Sequence, residues 1–195
     1  MANINKLIPI ILKWEGGSKF TDDPVDKGGK SKYGITEATW RRRGYDKNGD
    51  GSVDGEDVRL LDENDFKMIL KIGYWDIWKA DYIKNQSIAN VLVDWVWGSG
   101  IHGVKIPQEL LGVTVDGNVG KVTIDKLNSV DQKEFHAKII EARKQFLNRI
   151  VEQDIARIEA KLGKKLTAAE QTKLTNKRFI KGWLNRLADF TYSDN

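Results

Sequence analysis

The chain has 195 residues, 40% hydrophobic and 31% charged, a balance ordinary for one medium globular domain or a domain with a second lobe packed on it. It contains no cysteine, which excludes disulfides, thiolate-bound zinc and thiol chemistry. The net charge of +4 and pI near 9.1 suit an anionic polymer, but no nucleic-acid-reading motif or long Lys/Arg run is present, so no nucleic-acid partner is expected.

Ile4, Leu7, Ile8, Ile11 and Leu12 recur at helical spacing, and Gly16-Gly17 supplies the stop, so a first helix is predicted to end near residue 15. Its apolar run, Leu7 to Leu12, is too short to span a bilayer and lacks a small-residue cleavage site, so no stable membrane insertion and no targeting segment are expected. Residues 18–35, rich in Asp, Lys and Gly, read as a loop or short hairpin. Thr36 is placed to cap a short helix through Arg43, ended by Gly44. Residues 46–57 form a separate loop, and Asp62 starts a helix with Phe66, Ile69 and Leu70 on one face. Residues 87–97 are apolar nearly all round, the pattern of a central buried helix, which Gly98-Ser99-Gly100 ends. Short helices follow at about 103–111 and 119–128, then a long amphipathic helix from Asp131 to about Leu162. Thr167 with Glu170 forms a capping-box pattern that opens a last helical region ending near Phe190. With no strand series or internal repeat, the expected fold is mainly α.

Glu15 is the first chemically interesting residue. It falls near the middle of the apolar face defined by Ile4, Ile8 and Ile11, at the C-terminal end of its helix. Burial and the helix dipole both disfavour a negative charge there, which is the environment a general acid needs. Periodicity alone leaves two other readings open: a Glu turned out to solvent in a frayed last turn, or a buried Glu paired with a Lys.

Residues 46–57 fit the twelve-position calcium loop. Asp46, Asn48, Asp50 and Asp54 fall at positions 1, 3, 5 and 9, Gly51 at 6, the Ser52 carbonyl at 7 and Asp57 at 12. A single loop of this kind suggests a structural Ca²⁺ clip that is not required for chemistry; an Asp/Gly-rich turn without an ion is the alternative. His102 and His136 are isolated, with no partner spacing for metal.

Trp14-Glu15-Gly16-Gly17, Asp23-Pro24-Val25-Asp26-Lys27-Gly28-Gly29 and Tyr33-Gly34-Ile35-Thr36, with Tyr74-Trp75 further on, resemble the N-terminal signature of the glycoside hydrolase family 108 muramidases, also labelled secretion activator proteins. The second half resembles that family's predicted peptidoglycan-binding domain through Asp94, Ser99-Gly100, Gln108, Leu111-Gly112-Val113, Asp116-Gly117, Arg143, Phe146, Phe179, Gly182-Trp183 and Arg186. The resemblance implies a lysozyme-like helical fold, with a catalytic region at 1–90 carrying the 46–57 loop and a helical peptidoglycan-binding region at 91–195. It also implies hydrolysis of the β-1,4 bond between N-acetylmuramic acid and N-acetylglucosamine, with Glu15 as the acid. Three positions depart from the pattern: Ser31 stands for Thr, the stretch from Gly17 to Asp23 is longer, and Gly98 stands for Asn. Synthesis in the bacterial cytoplasm and action on the wall outside it would require lysis, a holin or an exporter.

Glycosidases commonly use two carboxylates. Asp22, Asp23 and Asp26 follow Glu15 in sequence, and Asp26, inside the matched motif, is preferred as the second catalytic group, although an Asp before Gly-rich sequence also makes turns. Ser31 or Thr36 could instead position a water. Tyr33 has the best claim among the aromatics to stack on sugar; Trp40, Trp75, Trp95 and Trp97 suit a core equally well. Ser31, Tyr33 and Thr36 are therefore the candidate substrate-binding residues. A non-catalytic wall-binding module and a secretion-regulating protein remain alternative readings of the same scaffold.

Overall fold

The computed structural model describes residues 1–22 and 29–194. It is mainly helical, and most elements lie where periodicity and capping residues place them. A 3₁₀ turn at Ile4–Lys6 leads into α1 (Ile8–Trp14), with Glu15 as its C-terminal cap residue. Two short strands, β1 (Ser31–Lys32) and β2 (Ile35–Thr36), pair antiparallel, Ser31 opposite Thr36 and Lys32 opposite Ile35. The two-residue turn between them is Tyr33-Gly34, with φ of 55° and 73°. Positive φ at both central residues matches the twist of a tight hairpin.

Thr36 caps α2 (Glu37–Arg43) by accepting from the Thr39 N–H. A short helix, α3 (Gly55–Leu60), begins inside the stretch read as loop, because Asp54 and Asp57 form a reciprocal capping box there. Asp62 and Asp65 repeat that device at the start of α4 (Glu63–Leu70), which runs on as a wider π-type turn at Lys71–Trp75.

The centre of the molecule is α5 (Gln86–Ser99), buried at every position from Gln86 to Val96. Ile88, Val91, Leu92, Val93 and Trp95 are each fully buried, and each such side chain contributes about 1.5–3 kcal/mol relative to exposure. α6 (His102–Leu111) crosses it closely at Gly103, where an added Cβ would lie 2.5 Å from the Val96 nitrogen. α7 (Lys121–Ser129) follows, then the 31-residue α8 (Gln132–Leu162), capped by Asp131 and ended by Gly163.

The final region is not one helix. It divides into α9 (Ala168–Leu174), opened by the Thr167–Glu170 box, a 3₁₀ turn at Asn176–Arg178, and α10 (Ile180–Ala188). Thr175 causes the break: its side chain accepts from Lys177 N–H and restarts the chain at a new angle. The new direction lets α10 reach α1, where Asp189 accepts from Trp14 Nε1 (2.7 Å) and pairs with Lys13 (2.6 Å). Among the described residues, no helix is long and apolar enough to cross a membrane.

Candidate active site

Glu15 stands where α1 ends, α5 and α10 converge on it, and the 31–36 hairpin lies against it. Its Oε1 accepts from the Trp97 indole N–H (2.8 Å) and from Arg186 Nη1 (2.5 Å). The carboxylate is therefore paired, with an arginine from the last helix rather than the lysine or the open solvent that periodicity left as alternatives. Its side chain is 18% exposed, so it still reaches the surface.

Behind this pair is a deeper one. Arg186 also donates through Nε and Nη2 to Asp94 Oδ1 (3.1 and 2.6 Å), and Arg143 donates to Asp94 Oδ2 (2.7 Å). Exposure falls along the chain Glu15–Arg186–Asp94, from 18% to 16% to zero. The formal charges alternate in sign through to Arg143, so the cluster is neutral as a unit. Burial works against the charge on Arg186, but Asp94 and then Glu15 outweigh it and hold the guanidinium above its ordinary pKa. For Arg143 burial wins over Asp94, with Arg186 adding repulsion, and its pKa is drawn down. Its Nε and Nη1 have no partner among the described residues, while its guanidinium lies 6.0 Å from the Trp95 ring and 5.8 Å from the Phe190 ring. A Cβ at Gly98 would lie 3.7 Å from Arg143 Nη2, so the residue expected to be Asn borders this underbonded guanidinium.

On the opposite side of Glu15 is the hairpin turn. An added Cβ at Gly34 would lie 2.5 Å from Glu15 Oε2, so only glycine lets the backbone come this close to the carboxylate. Gly34→Ala is expected to displace Glu15 and to cost about 1–2 kcal/mol from its left-handed φ alone. Thermal melting together with wall turnover checks this; a variant matching the parent in both measurements would show that the approach has no role. Tyr33, a non-glycine residue at φ 55°, shares the strain. Its ring begins an aromatic row: 6.1 Å to Phe66, then 5.7 Å to Trp97, then 4.6 Å to Tyr74. Burial, the largest influence on Tyr74, pushes its phenol pKa up.

The other predicted site residues are distributed differently. Ser31 Oγ is within 2.6 Å of Thr21 Oγ1 and Thr36 serves as a helix cap, so the hairpin's own structure employs both hydroxyls. Trp40, Trp75 and Trp95 are fully buried core residues. Asp26, with Asp23, lies outside the described residues. Trp97 and Tyr74 also line a cleft of about 550 Å³ beside the carboxylate. The functional residue that sequence reasoning left without a role is Arg186, together with Asp94; both were quoted only as family-motif positions.

Two family models match the chain in tandem: Glycosyl hydrolase 108 over residues 8–100 and Predicted Peptidoglycan domain over residues 102–188. The chain carries a glycosyl hydrolase family 108 domain followed by a predicted peptidoglycan domain. This pairing makes it a peptidoglycan-acting enzyme. The structure of Brucella abortus SagA has the same fold, with a TM-score of 0.68 and 24% identity, covering 95% of this chain and 90% of that one. No curated protein matches the sequence. The family boundary near residue 101 follows the end of α5, so the two matched regions meet where Trp97 and Asp94 approach Glu15 and Arg186.

Proposed function

We propose that the chain hydrolyses the β-1,4 bond between N-acetylmuramic acid and N-acetylglucosamine, with Glu15 as general acid. The observation that carries this reading is the unequal treatment of the two Glu15 oxygens. Oε1 is held by Trp97 and Arg186, whereas Oε2 accepts no hydrogen bond among the described residues. Oε2, which lies against the Gly34 turn, is the oxygen left to carry the acid proton, and the fixed Oε1 orients it. Tyr33 stacks on a bound sugar. Asp94 is fully buried behind Arg186 and is therefore a positioning residue, not a second catalytic carboxylate. Asp26 fills that second role in this proposal, within a catalytic region at 1–90 backed by a wall-binding region at 91–195.

The deciding experiment is product analysis on purified peptidoglycan. Muramic acid at the new reducing ends supports the proposal; a glucosamine reducing end or a released peptide refutes it. The Glu15–Arg186 ion pair favours one rival, a wall-binding module in which Glu15 is only a structural anion; binding without any new reducing ends would establish that rival.

A second part of the proposal concerns residues 46–57, as a structural calcium clip. Asp46 accepts from the N–H groups of Gly49, Asp50 and Gly51, Asn48 from Asp50, and Asp50 from Ser52, so the first half of the loop is wound around its own oxygens. Asp57 fits the ligand role less well. Burial pushes its carboxyl pKa up, yet N–H bonds from Asp54, Asn48 and Lys47 together outweigh that and hold it below the ordinary value. Among the described residues no three acidic or imidazole groups converge on one point. Ligation by Asp46, Asn48, Asp50, the Ser52 carbonyl and Asp54 is therefore expected to be weak unless Asp57 exchanges its N–H partners for the ion. Calcium at a hundred times its Kd would add about 2.7 kcal/mol to stability. The check is melting temperature with calcium or chelator, in the parent and in Asp46→Ala. A parent that does not respond to calcium sinks the idea.

A further inference from the structure

The 550 Å³ cleft beside Glu15 has an unusual charge content. Arg42 and Arg43, at the end of α2, stand in its wall, and none of its lining residues is an Asp or Glu. Arg43 has one weak bond, to the Ile72 carbonyl at 3.4 Å, and Arg42 has no hydrogen-bond or ion-pair partner among the described residues. Neighbouring Arg41, by contrast, is neutralised by Glu37 at 2.7 Å. Two exposed guanidiniums without counter-ions in a concave site focus a positive field, and their planar donor sets match carboxylates.

The position of the cleft limits its occupant. Trp97 lines it and also donates to Glu15, so the cleft starts one side chain away from the acid. The Tyr74 phenol, also in the wall, lies within electrostatic reach of Arg43, Arg42 and Glu15 together. Gly73, Gly98 and Gly100 carry no side chains into the cleft and leave it room for a branched substituent. In peptidoglycan the group branching from the sugar next to the scissile bond is a short peptide rich in free carboxylates.

We propose that this cleft binds the acidic peptide stem attached to muramic acid, with Arg42 and Arg43 taking its carboxylates. The enzyme then selects stem-bearing glycan over bare glycan. This reading rests on Glu15 being the acid at the scissile bond, and its test is chosen not to depend on catalysis.

The test is calorimetric titration of the chain with the soluble N-acetylglucosaminyl-N-acetylmuramyl-tetrapeptide, and with the same fragment after its stem carboxylates are converted to amides. A charge-assisted bond to each arginine predicts that the acidic form binds roughly 10-fold tighter or better. In Arg42→Gln/Arg43→Gln the two forms should bind alike, and Arg42→Lys/Arg43→Lys should recover part of the difference. Both side chains are exposed, so the variants are expected to melt with the parent. Equal affinities in the parent, no binding of either form, or a difference that persists in the Gln variant each overturn the proposal. A parent that discriminates the two forms but releases no reducing ends refutes the muramidase reading and leaves the acidic-stem site standing.

Discussion

Replacing Glu15 by Gln is expected to lower peptidoglycan turnover by about 10²–10⁴-fold, the range that general acid catalysis contributes. The fold should survive, because a Gln carbonyl still accepts from Trp97 Nε1 and Arg186 Nη1. Arg186 also keeps Asp94 as its counter-ion at 2.6 Å, so no buried charge is left alone. What is lost is a proton on the second oxygen. Three measurements separate the outcomes: reducing-end release, melting temperature and co-sedimentation with insoluble wall. Loss of turnover with melting and sedimentation retained supports the acid; lysis at the parent's rate would falsify it.

The largest stability effect is expected at Asp94. Asp94→Ala removes the anion shared by Arg143 and Arg186, leaving Arg143, only 6% exposed, without a counter-ion. Removing one partner from a buried ion pair costs about 3–5 kcal/mol. For a chain of this size that corresponds to a fall in melting temperature of roughly 6–20 °C. Activity should also fall in the cold, where the variant remains folded, because Arg186 loses the anchor that aims it at Glu15. Asp94→Asn, which preserves shape and some hydrogen bonding, should lie between. If Asp94→Ala melts with the parent, the four-residue cluster is not the unit described above.

The helical architecture was legible because it is written locally. The Asp62, Asp131 and Thr167 caps and the all-apolar run of α5 act over a few residues, and the elements start and stop close to where those signals fall. Glu15 at the end of the first helix belongs to the same class of information. The break at Thr175 was not legible, since a lone Thr gives no warning that its side chain will turn back on the backbone. Nor was α3, whose capping box, Asp54 with Asp57, uses residues that also satisfy a calcium-loop pattern. The pairing partner of Glu15 is the clearest limit. Arg186 is 171 residues away, and periodicity on one helix carries no information about what another helix will bring against it. Only the family resemblance pointed to Arg186, and it did so without a role. Asp26, the proposed second carboxylate, lies outside the described residues, so its part rests on the motif alone.

That separation of 171 residues has a consequence for the timing of activity. Glu15 is synthesised long before Arg186 and must wait, without its cation, until α10 has emerged and settled beside α1. A nascent chain, or one clipped ahead of residue 180, carries the proposed acid but not the arginine that pairs with it. The Lys13 and Trp14 contacts to Asp189 depend on the same docking event. With Glu15 as the acid, competence to cut the wall would be tied to the docking of α10, a checkpoint that needs no inhibitor.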